Sequence, residues 1–189
     1  MGLDKKELIV QTATNLFRKK GYLGVGISEI LTECNLSKGG FYHHFPNGKE
    51  ELLITCLNSM NEVITQDIKE IFGRYQTTQA AIQAMLEELI IQFDRDETII
   101  GYTFNSIVSE IGSVSERVRE ACEDSFTKIQ EIYSAKLMAD GYSKEEANSF
   151  ALMMTATIEG GIMLCLTKKT SEPLQTIASL LPNTLKVVE

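Results

Sequence analysis

Between Asn35 and Phe45 the chain reads Asn-Leu-Ser-Lys-Gly-Gly-Phe-Tyr-His-His-Phe. Ser37 can accept hydrogen bonds from the amides of a helix that begins after it. Lys38, Gly39 and Gly40 then occupy a first turn, where unpaired N–H groups and the helix dipole make the field positive. An ammonium, two glycine amides, the Tyr42 phenol and the imidazoles of His43 and His44 suit phosphates and base edges. Two adjacent glycines cost a helix roughly 2 kcal/mol against alanine, a penalty consistent with backbone that approaches another surface closely. Metal chelation fits poorly, because consecutive helical side chains point about 100° apart and His43 and His44 cannot share one ion. No metal site and no cofactor are therefore expected. The only two histidines lie in this segment and no nucleophile or acid–base pair is recognisable, so an enzyme is not expected.

The flanking residues supply elements that hold this segment in place. From Lys5 to Lys20, Ile9, Ala13, Leu16 and Phe17 follow the spacing of a helix buried along one side, and Gly21 ends it. A short helix from about Ile27 to Cys34 puts Ile27, Ile30 and Leu31 on one face. Asn35 then tolerates the left-handed conformation of a sharp turn. Helix, short helix, turn and short helix make the helix-turn-helix plan, with Ser37–Phe45 as the recognition helix. Phe41 and Phe45 point inward, while Lys38, the amides of Gly39 and Gly40, and His43 face a DNA groove.

Residues 5–57 resemble the TetR family of one-component transcriptional regulators. The resemblance is carried by Leu16-Phe17, Gly21-Tyr22, Ile27 and Ile30, Ser37-Lys38-Gly39-Gly40-Phe41-Tyr42-His43-His44-Phe45 and Lys49-Glu50-Glu51-Leu52. The stretch Pro46-Asn47-Gly48-Lys49-Glu50 is similar to the Pro-x-Gly-Lys-Glu of a subgroup of antibiotic- and flavonoid-responsive repressors. By resemblance, Tyr42, His44 and Lys49 are expected on phosphates, and Ser37 belongs to the same DNA-binding surface. Most members carry a phosphate-holding threonine or serine at the start of the second helix, where this chain has Val25 and Gly26; Ser28 is the nearby donor.

At 189 residues and 43% hydrophobic, the chain has room for a head of about 50 residues and a larger body. The net charge of −8 divides unevenly: residues 1–50 sum to +2 and the remainder to −10. An acidic body with a mildly basic head directs DNA to the head, although an ordinary acidic surface would look the same. No stretch approaches ~18 uninterrupted apolar residues and the N-terminus lacks a signal-peptide core, so a cytoplasmic protein without a membrane segment is expected. Cys34, Cys56, Cys122 and Cys165 form no CxxC pair and read as reduced core thiols.

The fold class is all-α, with nine helices. A domain of residues 1–47 holds the helix-turn-helix, and residues 48–189 form the ligand-binding and dimerisation domain, with 48–72 as the connecting helix. Asn47 and Glu50 start that helix and Gly73 ends it. Thr77 caps a helix through Phe93, which Asp94-Arg95-Asp96 breaks. A shorter helix follows from Ile99 to Ile111. Ser113 with Glu116 and Ser143 with Glu146 form capping boxes for helices to Ala139 and Leu166, and Ser171-Glu172-Pro173 starts the last one.

Two binding surfaces are expected on the body. Met85, Leu89, Phe93, Tyr102, Phe104, Asn105, Ile107, Phe126, Tyr133, Met153 and Thr157 supply aromatic and flexible apolar lining for a small organic effector; for any one of them core packing is an equal reading. Leu152, Ala156, Gly160, Gly161 and Leu164, with Leu174, Ile177 and Leu181, form stripes for a homodimer, or else an intramolecular core. Glu159 admits three readings: a cationic ligand, a bond across a dimer, or an exposed helix edge.

The resemblance implies a homodimeric repressor on double-stranded DNA, each recognition helix in one half of a palindromic operator, released when an effector tilts the connecting helix. Activation uses the same contact. The alternative is a TetR-like ligand-binding or interaction module with weakened DNA reading.

Overall fold

The structure, a computed structural model, describes residues 4–99, 109–110 and 115–185, which form eight helices and no strand. The helix expected from Ile99 to Ile111 lies outside the described residues, apart from Ile99, Ser109 and Glu110. Two compact units divide the chain. One comprises Met1–Asn61 with Thr103–Ser125, the other Glu62–Tyr102 with Phe126–Glu189.

In the first unit, α1 (Lys5–Lys20) buries Ile9, Val10, Ala13 and Phe17 and ends at Gly21 with φ of 72°. Then α2 (Ile27–Glu33) stops one residue earlier than expected, and Asn35 makes the turn at φ of 50°. α3 (Lys38–His44) begins at Ser37, whose Oγ accepts from the Gly40 amide at 3.1 Å. Gly48, at φ of 78°, leads into α4 (Lys49–Arg74), which runs through Gly73 because a single glycine does not outweigh the packing of Ile68, Ile71 and Phe72. Its start also differs from the expected Asn47–Glu50 box, since the Asn47 amide donates to Glu51 Oε2 at 2.8 Å.

In the second unit, the Thr77 hydroxyl accepts from the Ala80 amide to begin α5 (Thr78–Asp96). The charged cluster continues this helix instead of breaking it. Arg95 pairs with Asp96, and the end comes at Glu97, which adopts φ of 54°. Exposed charges at a helix end leave its backbone hydrogen bonds intact. Helix α6 (Glu116–Ala139) contributes residues to both units. Ser113 is outside the described residues, and Ser115 Oγ accepts from the Val118 amide at 3.3 Å. The Ser143–Glu146 box caps α7 (Lys144–Lys168) in both directions, and Lys169 at φ of 55° ends it two residues past Leu166. Last is α8 (Glu172–Thr184), with Pro173 in its first turn.

The core of the second unit includes Ile82, Leu86, Leu137, Ala147, Met154 and Leu174, all fully buried. α8 packs on both α5 and α7. By length and composition α7 could cross a membrane, its most apolar 18 residues having a mean hydropathy of 1.6. Here its Met154, Ile158 and Ile162 are core residues.

All four cysteines are buried and free. Burial pushes the Cys56 thiol up to about 12 and Cys122 up to about 11. At pH 8 neither is then a thiolate, and in native protein both are expected to resist a disulfide-exchange reagent and to react only on unfolding. Stoichiometric labelling of Cys56 or Cys122 within minutes, with helix content unchanged, would contradict this.

Candidate nucleic-acid interface and ligand cavity

On α3 the alternation expected from sequence is realised in side-chain burial. Phe41 and Phe45 are fully buried, their rings 5.6 Å apart, and Phe41 meets Tyr42 edge-on at 5.3 Å. Ser37, Lys38, Gly39, Tyr42 and His43 are exposed, with Gly40 and His44 half-buried. A Cβ at Gly39 would meet nothing within 4 Å, so the backbone there is open to a close-approaching surface. Lys38 stands in the first turn, where helix polarity adds to its own charge.

At the start of α2, Val25 is 1% exposed and therefore belongs to the head's interior. Gly26 caps the helix with extended backbone and no side-chain bond. Ser28, exposed in the first turn, is left as the hydroxyl donor of this helix end.

Lys49 is held differently from the exposed Lys38. Its ammonium donates to the Tyr22 carbonyl, lies 3.9 Å from the centre of the Tyr22 ring and is half-buried. Burial lowers its pKa, partly opposed by the Glu110 carboxylate. Glu110 also accepts from the Leu23 amide at 3.1 Å and lies against Gly21, where any Cβ would collide with it. Lys49 therefore fastens the α1–α2 turn in this state, and a phosphate contact requires it to leave Tyr22. Pairing of this lysine with a backbone carbonyl carries no sequence signal.

The second unit contains a cavity of about 190 Å³. α4 lines it with Val63, Ile64, Asp67, Ile68 and Ile71, and α5 with Met85, Glu88, Leu89 and Gln92. Ile99, Ile129 and Tyr133 add to the wall, as do Thr155, Ile158, Glu159 and Ile162 of α7. Of the residues expected here, Met85, Leu89 and Tyr133 line the cavity. Phe93 is buried in the core, while Phe126, Met153 and Thr157 are half-buried and not in its wall. Tyr102, Phe104, Asn105 and Ile107 lie outside the described residues. The expected face of α7 was off by two residues, about 200° around the helix, because that helix is apolar nearly all round. Sequence reasoning also missed α4, treated only as a connector, although Ile64, Ile68 and Ile71 follow helical spacing.

A model of the bacterial regulatory proteins of the tetR family matches residues 9–56. A second, for the C-terminal domain of LmrA/YxaF-like transcriptional regulators, matches residues 78–180. The HTH-type transcriptional regulator LmrA of Bacillus subtilis (strain 168) is 39% identical over 97% of this chain and 97% of its own. This chain belongs to the TetR family. It is a DNA-binding transcriptional regulator. The uncharacterized HTH-type transcriptional regulator YxaF of the same organism is 36% identical over 95% of this chain and 94% of its own. Among solved structures, Escherichia coli NemR in its reduced form superposes with a TM-score of 0.87 at 22% identity, covering 98% of this chain and 100% of that one. At that identity the likeness shows the fold alone.

In this TetR-family chain the expected dimer stripe splits in two. Leu152 and Leu164 are 58% and 49% exposed, and Ala156 and Gly160 are exposed beside them at helical spacing. Gly161, Leu174 and Leu181 are instead buried within the chain, and Ile177 is half-buried. A Cβ on Gly161 would approach Ile177 Cδ1 to 2.4 Å and Leu174 Cδ2 to 3.1 Å, so this glycine lets α7 and α8 pack closely. The strongest apolar stripe of α8 serves its own core, as the intramolecular reading required.

Proposed function

We propose that the chain is a cytoplasmic, homodimeric repressor that leaves a palindromic operator when a small hydrophobic or aromatic effector binds, and that it does no catalysis. We place it in the subgroup of antibiotic- and flavonoid-responsive repressors, on its Pro46-x-Gly48-Lys49-Glu50 stretch. The observation that carries the reading is the surface of α3: a Ser37-capped first turn with Lys38, Gly39, Tyr42 and His43 exposed above a buried Phe41 and Phe45. Residues 1–47 are the DNA-binding domain and 48–189 the effector and dimerisation domain.

Lys38 donates to guanine O6 or N7 or to a phosphate, and Gly39, Gly40 and His43 lie along the groove. Ser28, Ser37, Tyr42 and His44 fix register on phosphates, joined by Lys49 when it releases Tyr22. The exposed stripe of Leu152, Ala156, Gly160 and Leu164 joins two copies. An effector acts through α4, which begins directly after the recognition helix and supplies part of the cavity wall. It must favour the state in which the two recognition helices no longer match successive major grooves about 34 Å apart. A coupling of ~3 kcal/mol lowers operator affinity about 150-fold.

Lys38→Ala and Tyr42→Ala are each expected to weaken operator binding by about tenfold to a hundredfold, Lys38→Ala with unchanged thermal stability, and Tyr42→Ala reduces the salt dependence less than Lys38→Ala does. Unchanged affinity in both variants would remove α3 from the interface. An effector that saturates the cavity yet leaves operator affinity untouched would end the release mechanism.

A further inference from the structure

We propose that the effector is a small organic cation, a protonated amine attached to a single aromatic ring. This rests on the effector reading above and names its ligand class. The size comes from the cavity. An apolar cavity of about 150 Å³ accommodates benzene, and the ~190 Å³ here holds one ring and a short arm. Its interior walls, including Ile68, Ile71, Met85 and Ile158, are apolar, which suits the ring.

The charge comes from the polar groups. Asp67, Glu88 and Glu159 line the cavity from three different helices, and among the described residues no lysine, arginine or histidine does. Asp67 and Glu88 are exposed, as at an entrance, and Arg74 pairs with Glu88 at 3.9 Å. Glu159 is half-buried, and its charge adds to the effect of burial in raising the pKa of Tyr133. Tyr133 itself is 2% exposed. Its hydroxyl donates to Met85 Sδ at 3.6 Å, a weak acceptor, so its oxygen remains able to accept. The Thr155 hydroxyl is spent on the Ala151 carbonyl at 2.9 Å. Among the described lining residues, carboxylates and a phenol oxygen accept hydrogen bonds, and the Gln92 amide offers donors as well. The negative charge of this wall favours a ligand that brings donors and positive charge, and an ammonium brings both.

Titration calorimetry with three molecules of nearly the same shape tests this: phenethylammonium, neutral 2-phenylethanol and anionic 3-phenylpropanoate. The cation is expected to bind at least tenfold more tightly than the alcohol, with no measurable binding of the anion. Glu159→Gln, which keeps the shape, is expected to cut the cation's advantage over the alcohol at least severalfold, with an unchanged circular dichroism spectrum showing that the variant is folded. Asp67→Asn repeats the test at the entrance. Equal or tighter binding of the alcohol or the anion overturns the cation proposal and leaves an uncharged or acidic effector in the same cavity. Binding of none of the three to wild-type protein also overturns it. The broader effector reading fails separately, if compounds shown to occupy the cavity never alter operator affinity.

Discussion

Phe41→Ala is expected to destabilise the DNA-binding head by about 3–5 kcal/mol, the usual loss for deleting a fully buried aromatic side chain. Phe41 has no exposed surface and touches both Tyr42 and Phe45. Its removal leaves a void under a seven-residue helix that has two glycines and little stability of its own. Operator binding is then lost because α3 no longer holds its shape, although every exposed contact residue is still present. Amide hydrogen exchange separates this from a surface effect. Protection should fall across α1–α3 in Phe41→Ala and stay at the wild-type level in Lys38→Ala. If Phe41→Ala keeps both protection and affinity, the buried face of α3 is not what positions its exposed one.

Leu152→Glu combined with Leu164→Glu is expected to give a folded monomer with operator affinity reduced about a thousandfold. Both leucines are about half exposed and neither belongs to the buried core, so the chain's own core loses little. Paired copies, however, bring four new carboxylates into a buried apolar seam, and desolvating unpaired charge outweighs what the remaining apolar surface contributes. A single head reads one half-site and forfeits the affinity of the second. Sedimentation at micromolar concentration reads the first effect directly. A double variant that still sediments as a dimer would move the interface elsewhere.

The head was the most legible part of the molecule, because its structure is set by local chemistry. Ser37 as a cap, Asn35 in the left-handed turn and Gly21 as a stop each act within a few residues of themselves, and all three do what their side chains allow. The Ser143–Glu146 box is of the same kind. Tertiary competition decided the rest. Gly161 and Leu174 were readable as small and apolar but not as belonging to this chain's core, since either partner buries the same stripe. The apolar sequence of α7 gave no preferred face, so the cavity lining there could not be assigned. Lys49 illustrates the limit at a single residue: its charge and position suggested a phosphate, whereas in this fold its nearest partner is the carbonyl of Tyr22.

One measurement bears most directly on the function: fluorescence anisotropy of the protein with a DNA fragment flanking its own gene, against a random fragment, at two salt concentrations. Sub-micromolar binding to the flanking fragment, a preference of about a thousandfold and a marked loss at higher salt are the expected results. Equally weak binding to both fragments, followed by a genomic-fragment selection that enriches no sequence, would contradict a sequence-specific regulator.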